Sequence, residues 1–167
     1  SKDRACQLDL LLRSIKDKFL NVGIIYILYT YSTEDFKKGY HKFFSDCKKY
    51  KLDILGHLQI DFEKETRAVI NTTETPYYLG LCDDDVFIRE TDCSEIVEKL
   101  HEEDINAISL KAGLNIIGNY PNFSYPLPKF IETEPFLKWK WRDSHPESDW
   151  GYPTCINSYI FKKDYLI

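Results

Sequence analysis

Three consecutive aspartates, Asp83, Asp84 and Asp85, follow the apolar segment Tyr77-Tyr78-Leu79-Gly80-Leu81-Cys82 and precede another, Val86-Phe87-Ile88. In extended backbone alternate side chains share a side, so Asp83 and Asp85 are expected to point together and Asp84 away. Two hard oxygen donors then converge. Mg2+ or Mn2+ prefers such donors and keeps further coordination positions for water and phosphate oxygens, which suits neutralisation of a departing diphosphate. Three crowded carboxylates also repel one another, and the apolar flanks limit their retreat into solvent. A cation is the simplest relief. The plainer alternative is a solvated acidic turn after a buried strand.

Other chemistry-bearing residues are dispersed. The segment Phe136-Leu137-Lys138-Trp139-Lys140-Trp141-Arg142 alternates aromatic and basic side chains, so a strand there would have one apolar and one cationic side. It could stack a sugar ring or meet a membrane surface, with Trp150 as a further wall; equally, it could be an edge strand whose lysines deter pairing while its tryptophans pack inward. His41, His57, His101 and His145 have no second His or Cys at metal-ligand spacing, and His145 alone lies near other candidates in sequence. No GxSxG, Walker or GxGxxG pattern occurs, so hydrolase, kinase and dehydrogenase readings lack positive support.

The elements that must carry these residues follow from periodicity. Leu8, Leu11, Leu12, Ile15 and Phe19 predict an amphipathic helix after a polar loop, and the apolar run Val22 to Tyr29 predicts a strand covered on both faces, central in a sheet. Ser32 and Thr33 offer an N-cap for a helix with Phe36, Tyr40, Phe43, Phe44 and Cys47 on one stripe and its lysines forming a solvated face. A third helix is expected over Asp61 to Asn71, a strand over Tyr77 to Cys82, an extended run at Val86-Phe87-Ile88, a helix over Asp92 to Glu102 and a strand over Ala107 to Leu110. Gly118 to Pro153 holds six of the seven prolines and all three tryptophans, predicting loops and edge strands, and Ile156 to Lys162 reads as a last strand. The alternation predicts an α/β fold with a mostly parallel central sheet, helices on both faces, and a ligand at the strands' carboxyl ends.

Length bounds the chain to one domain, and 22 basic against 27 acidic residues give a net charge of −5, without a general nucleic-acid footprint. Any anionic ligand must be held locally. Five cysteines without a CxxC pair cannot form a complete disulfide framework and fit a reducing cytoplasm. The longest apolar run is too short to span a bilayer, and no basic-then-apolar leader opens the sequence. The sequons at Asn71 and Asn122 matter only in a secreted protein. The lack of any methionine, with an opening on a polar turn, suggests a fragment.

Asp83-Asp84-Asp85 after its strand resembles the DxD-type motif of glycosyltransferases of the GT-A fold, specifically those like family 2. The opening Ser1-Lys2-Asp3-Arg4-Ala5-Cys6-Gln7-Leu8, continuing through Leu11, Leu12, Arg13 and Ser14, is similar to the loop and helix after that family's first strand. The resemblance covers roughly Ser1 to Leu166. It implies a GT-A, Rossmann-like sheet and transfer of a sugar from a nucleotide-diphosphate donor to an acceptor hydroxyl, dependent on Mn2+ or Mg2+ and inverting at the sugar carbon. By the same resemblance Asp3, Arg4, Gln7, Asp83 and Asp84 bind the nucleotide sugar, with Asp83 at the ribose or metal and Asp85 on the metal. Asp149, in Glu147-Ser148-Asp149-Trp150, is the implied catalytic base, and Glu147 the alternate choice. Residues 1–117 would form the donor portion and 118–167 the acceptor portion.

Against the family pattern the first strand is missing, a QxxRW-type segment is absent, and the acceptor portion is short. The implied acceptor is a glycan, a lipid-linked sugar or a protein in polysaccharide or glycan assembly, without nucleic acid and with peripheral membrane contact allowed at the cytoplasmic face. Two other readings share the acidic site: a nucleotidyltransferase, which would usually add a glycine- and lysine-rich phosphate loop, and a non-catalytic nucleotide-sugar-binding partner domain.

Overall fold

The computed structural model describes residues 1–119, 123–152, 155 and 157–166. Asn122 of the second sequon, Pro153 and Ile156 lie outside the described residues.

Helix α1 (Ala5–Lys18) buries Leu8, Leu11, Leu12 and Ile15, which recur at helical spacing on one stripe. It runs into a two-residue strand, β1 (Phe19–Leu20), followed by β2 (Ile25–Tyr29). Helix α2 (Glu34–Asp46) starts at Thr33, whose hydroxyl accepts the Phe36 N–H at 3.3 Å, and turns Tyr40 and Phe43 inward. A 3-10 turn, Cys47–Tyr50, ends in Lys51 at φ 58° and leads to β3 (Ile54–Leu58). Asp61 caps α3 (Phe62–Thr72) by accepting the Lys64 N–H at 3.1 Å. After Pro76 come β4 (Tyr77–Gly80), β5 (Thr91–Asp92), α4 (Cys93–Leu100) and β6 (Ala107–Ser109). Short strands β7 (Gly118–Asn119), β8 (Phe123–Ser124), β9 (Phe130–Glu132) and β10 (Lys138–Trp139) fill the proline-rich stretch, and β11 (Tyr159–Lys162) follows.

The chain is a mixed α/β fold with small sheets. Parallel pairing joins β2 to β3 and β1 to β5, but the three-stranded sheet is antiparallel, with β11 between β4 and β6. The expected mostly parallel central sheet is therefore not what these ladders make. The last strand comes back against the direction of β4 and β6 because it returns from the far side of the proline-rich segment rather than through a helical crossover. Strand β2 is not central either: it is hydrogen-bonded along its length to β3 alone among named strands. Val86-Phe87-Ile88 forms no ladder. Phe87 instead stacks on Phe19 with centroids 4.6 Å apart, and its N–H donates to Ser14 Oγ at 3.0 Å. One core joins α1, α2, β2, α4 and β11 through Leu12, Tyr40, Ile27, Leu100 and Ile160.

Strand β3 has no counterpart in the expectations above, because Gly56 and His57 interrupt its apolar residues. The glycine is structural. An added Cβ at position 56 would lie 2.5 Å from Phe44 Cζ, and that ring is already held against Tyr29 and Phe43. Gly56→Ala is expected to cost about 1–3 kcal/mol through overpacking. Thermal melts should show a Tm lower by roughly 3–10 °C at this chain length; an unchanged Tm would mean that the Phe44 ring has room to move.

Candidate functional site

The candidate site forms where the carboxyl ends of β4 and β6 meet the amino end of β11. Tyr159 lies opposite both Gly80 and Ser109 in the two ladders, so the residues just past Gly80 and Ser109 are brought to one edge of the sheet. Past Gly80 come Cys82 and the three aspartates. Past Ser109 comes Lys111, whose ammonium is 3.5 Å from Cys155 Sγ and 5.9 Å from the centroid of the Tyr159 ring.

The aspartates occupy a turn, and this changes which carboxylates converge. Asp85 N–H donates to Cys82 O at 3.1 Å, and Asp85 Oδ2 accepts the Cys82 N–H at 2.8 Å, closing the turn on itself. Extended alternation therefore does not hold here. Asp83 Oδ1 and Asp84 Oδ2 instead face the same atom, Arg4 Nη1, each at 3.2 Å. The Asp83 side chain is 9% exposed and that of Asp84 62%, so Asp83 is the walled-in member of the pair. Both carboxylates hold the Arg4 guanidinium above its ordinary value, chiefly through the hydrogen bond to Asp83. Burial pushes the Cys82 thiol up, and the neighbouring carboxylates push it further.

Arg4 belongs to this pair because of how the first residues are tied down. The Ser1 amine donates to Leu28 O at 2.7 Å, Thr30 N–H to Ser1 O at 2.9 Å, and Asp3 N–H to Thr30 O at 3.2 Å. Tyr40, fully buried, accepts the Arg4 N–H at 3.2 Å. Asp3, at φ 59°, spends both carboxylate oxygens on Ser32, one on its N–H and one on its hydroxyl, each at 2.8 Å. It fixes the loop beside the site. Gln7 is exposed in the first turn of α1, three residues beyond Arg4. No side chain caps α1, so its first N–H groups open beside the Asp83–Arg4 pair. Unsatisfied N–H groups and the positive end of a helix dipole favour anions.

Asp149 reaches the same neighbourhood from the other direction. It opens a 3-10 turn, Asp149–Gly151, between two buried residues, Ser148 and Trp150, and is itself exposed. Trp150 is an anchor rather than an exposed wall: its Nε1–H donates to Ile116 O at 2.8 Å, its carbonyl accepts from Trp139 Nε1 at 3.1 Å, and its ring meets Phe130 and Trp139 edge to face. Gly151 packs directly onto the His145 carbonyl, leaving no space for a Cβ. Burial raises the Tyr159 hydroxyl pKa, and among its smaller causes are the charges of Cys155 and Asp149. Cys155 in turn acts on Cys82. Glu147, the alternate base, accepts a hydrogen bond from Tyr125 Oη at 2.9 Å, and His145 stacks on the Tyr125 ring.

The aromatic and basic segment is not a strand with a cationic side. Only Lys138–Trp139 pairs, and Trp141–Asp143 turns away in a 3-10 helix. Lys138 is ringed by Glu102, Asp104 and Glu132, which raise its pKa, with Asp104 the largest influence. Trp139 packs inward, as the edge-strand alternative expected. Lys111 went unnoticed in the sequence. Its signal was positional, a charged residue immediately past an apolar strand, as the aspartates are past theirs.

A divalent ion fits this turn only with help from a ligand. Among the described residues, no group of three or more His, Cys, Asp or Glu side chains could hold a metal by itself. Asp83 and Asp84 do present two oxygens to a shared cation, and Mg2+ is commonly bound through one or two carboxylates plus phosphate oxygens. Among the described residues, the five cysteines are unpaired thiols, and no helix is long and apolar enough to cross a membrane.

No family model matches the chain, and no solved structure matches it. A bifunctional glycosyltransferase of Dictyostelium discoideum, pgtA, is 29% identical over 189 aligned positions, covering 97% of this chain. The chain spans 23% of the length of that relative. This distant similarity, running through both the aspartate turn and the Asp149 segment, supports a glycosyltransferase and hence sugar transfer in general terms.

Proposed function

We propose that the chain is the donor-binding and catalytic part of a GT-A-like glycosyltransferase, taking a nucleotide-diphosphate sugar with Mn2+ or Mg2+ and inverting at the sugar carbon. One observation supports this best: two carboxylates, Asp83 and Asp84, converge on one cationic side chain, the Arg4 guanidinium, at the carboxyl end of β4, beside an uncapped helix amino terminus. That pairing suits a diphosphate neutralised from both sides. Asp83 and Asp84 would hold the ion together with the donor's phosphates, and Asp85, which closes the turn by accepting the Cys82 N–H through one oxygen, would offer its other oxygen. When bound, the ion neutralises the leaving nucleoside diphosphate. Arg4 and the first N–H groups of α1 hold the phosphates, Asp3 shapes the base-side loop through Ser32, and Gln7 borders the base. Lys111 adds positive charge at the same edge. Asp149 accepts the proton of the acceptor hydroxyl as the new glycosidic bond forms, so no charge is left on the attacking oxygen. The acceptor is a glycan, a lipid-linked sugar or a protein.

Incubation with a panel of nucleotide-diphosphate sugars and Mn2+ tests this reading through release of nucleoside diphosphate. Release from at least one donor, abolished by a chelator, is expected. No release from any donor would overturn the catalytic reading, and binding without release would favour a nucleotide-sugar-binding partner domain.

A further inference from the structure

A cleft of about 450 Å3, within the ordinary size of a small-molecule site, runs along β6. Strand β6 forms one wall and residues 135–141 another. Ser109 and Trp150 line the cleft at the edge where the aspartates and Asp149 gather, and Asp104 and Tyr165 line it past the opposite end of β6. In β6 the even-numbered residues bond to β11: Lys162 N–H donates to Asn106 O at 3.1 Å and Leu110 N–H to Ser158 O at 2.8 Å. The N–H and C=O groups of Ala107 and Ser109 therefore turn away from β11, and among the described residues no strand pairs with β6 on that side. The Asn106 side chain is exposed and has no hydrogen-bond partner among the described residues. Two aromatic rings join these polar groups. Trp141 is 40% exposed, with the Arg142 guanidinium 5.1 Å from its ring centroid, and Tyr165, in a 3-10 turn at Lys163–Tyr165, is 39% exposed with the buried Phe161 stacked on it at 6.2 Å. Each ring is supported from one side and still open.

We propose that this cleft holds a neutral oligosaccharide, which narrows the acceptor to a glycan and rests on the transferase reading above. A pyranose carries C–H groups on its faces and hydroxyls around its rim. Trp141 and Tyr165 offer apolar surface to the faces. A hydroxyl both donates and accepts, so one kind of group satisfies the Ala107 and Ser109 N–H and C=O groups, the Asn106 amide and the Asp104 carboxylate. The other acceptor chemistries fit less well. A lipid tail would shut water out and leave those backbone groups unsatisfied. An anionic group would find Lys138 already spent on Glu102, Asp104 and Glu132, with Asp104 the exposed member of that set. A peptide strand would find only two outward-facing residues to pair with, too short an edge for a ladder. Three residues of strand at roughly 3.3 Å each make about 10 Å, longer than one sugar ring. The terminal sugar would lie at Ser109 and Trp150, next to Asp149, and the sugars behind it would follow β6 towards Tyr165.

The test is an amide NMR titration of the whole chain without donor or metal. Chitotriose, maltotriose and mannotriose are compared with their monosaccharides, with farnesyl phosphate and with an extended Val/Thr hexapeptide. At least one trisaccharide should bind about tenfold or more tightly than its monosaccharide and shift the Ala107 and Ser109 amides. Trp141→Ala and Tyr165→Ala should each weaken that binding on the order of tenfold, with thermal melts establishing that both variants fold. No trisaccharide binding, binding that leaves the two amides unmoved or survives either substitution, or tighter binding of farnesyl phosphate or peptide in the cleft would overturn the proposal. With neither donor nor metal present, such a failure leaves nucleoside diphosphate release as it was. Absence of that release would count against transfer and not against the cleft.

Discussion

Asp149→Asn is expected to lower sugar transfer by about 10²–10⁴-fold, the usual contribution of a positioned general base, while leaving metal-dependent donor binding intact. Asn preserves the volume of the side chain and removes only its capacity to take a proton. The turn carrying it is held by Trp150 and Gly151, not by the Asp149 carboxylate, so the backbone should not move. Asp83→Asn should behave differently, losing donor affinity along with transfer, because Asp83 is the more enclosed of the two carboxylates on the shared cation. Parallel measurements of initial rate and donor affinity on both variants separate the roles. Full activity in Asp149→Asn would move the base elsewhere, with Glu147 the next residue to substitute.

Trp150→Ala should be among the most damaging single changes to stability. The indole is 3% exposed, carries a hydrogen bond to Ile116 O, and packs against two aromatic rings from β9 and β10. Truncating a buried tryptophan costs about 3–5 kcal/mol, a large part of the 5–15 kcal/mol that holds an ordinary domain together. Denaturant melts should show this loss, with Tm falling on the order of 10 °C. Trp150→Phe, which keeps the apolar bulk and forfeits the N–H bond, should cost only about 1–2 kcal/mol. If the alanine variant lost less than about 1 kcal/mol, Asp149 would not be held by this anchor.

The helices were legible because their apolar residues repeat at helical spacing over long stretches: Leu8 to Ile15 and Phe36 to Cys47 leave little choice. What pairs with what was not. An apolar run such as Val22 to Tyr29 announces a strand but carries no information on its neighbours, and the antiparallel return of β11 depends on a tertiary path through a segment poor in periodic signal. Strand β3 was hidden by Gly56, whose presence is explained only by a ring approaching from α2. At the site, the sequence located the aspartates but not their directions. A local change of backbone from extended to turn sets Asp84, rather than Asp85, beside Asp83 at the Arg4 guanidinium. Arg4 as their common partner lies 79 residues from Asp83, and the family resemblance placed it only at the nucleotide, not against the aspartates. Trp150 stood out as an aromatic residue beside Asp149, yet periodicity could not say whether it faced a ligand or the core.

No described cluster of side chains could hold an ion alone, so the proposed reading expects metal and diphosphate to stabilise the folded chain only together, which makes thermal shift the most direct test. A panel of nucleoside diphosphates is added with Mn2+, with chelator, and with Mn2+ to Asp83→Asn. At about 100 times its dissociation constant, the matching nucleotide should add roughly 2.7 kcal/mol, a Tm rise of about 5–10 °C. That rise should appear only with Mn2+ and only in the unmodified protein. An equal rise with chelator or in Asp83→Asn, or none with any nucleotide, would contradict a metal-bridged diphosphate at the aspartate turn.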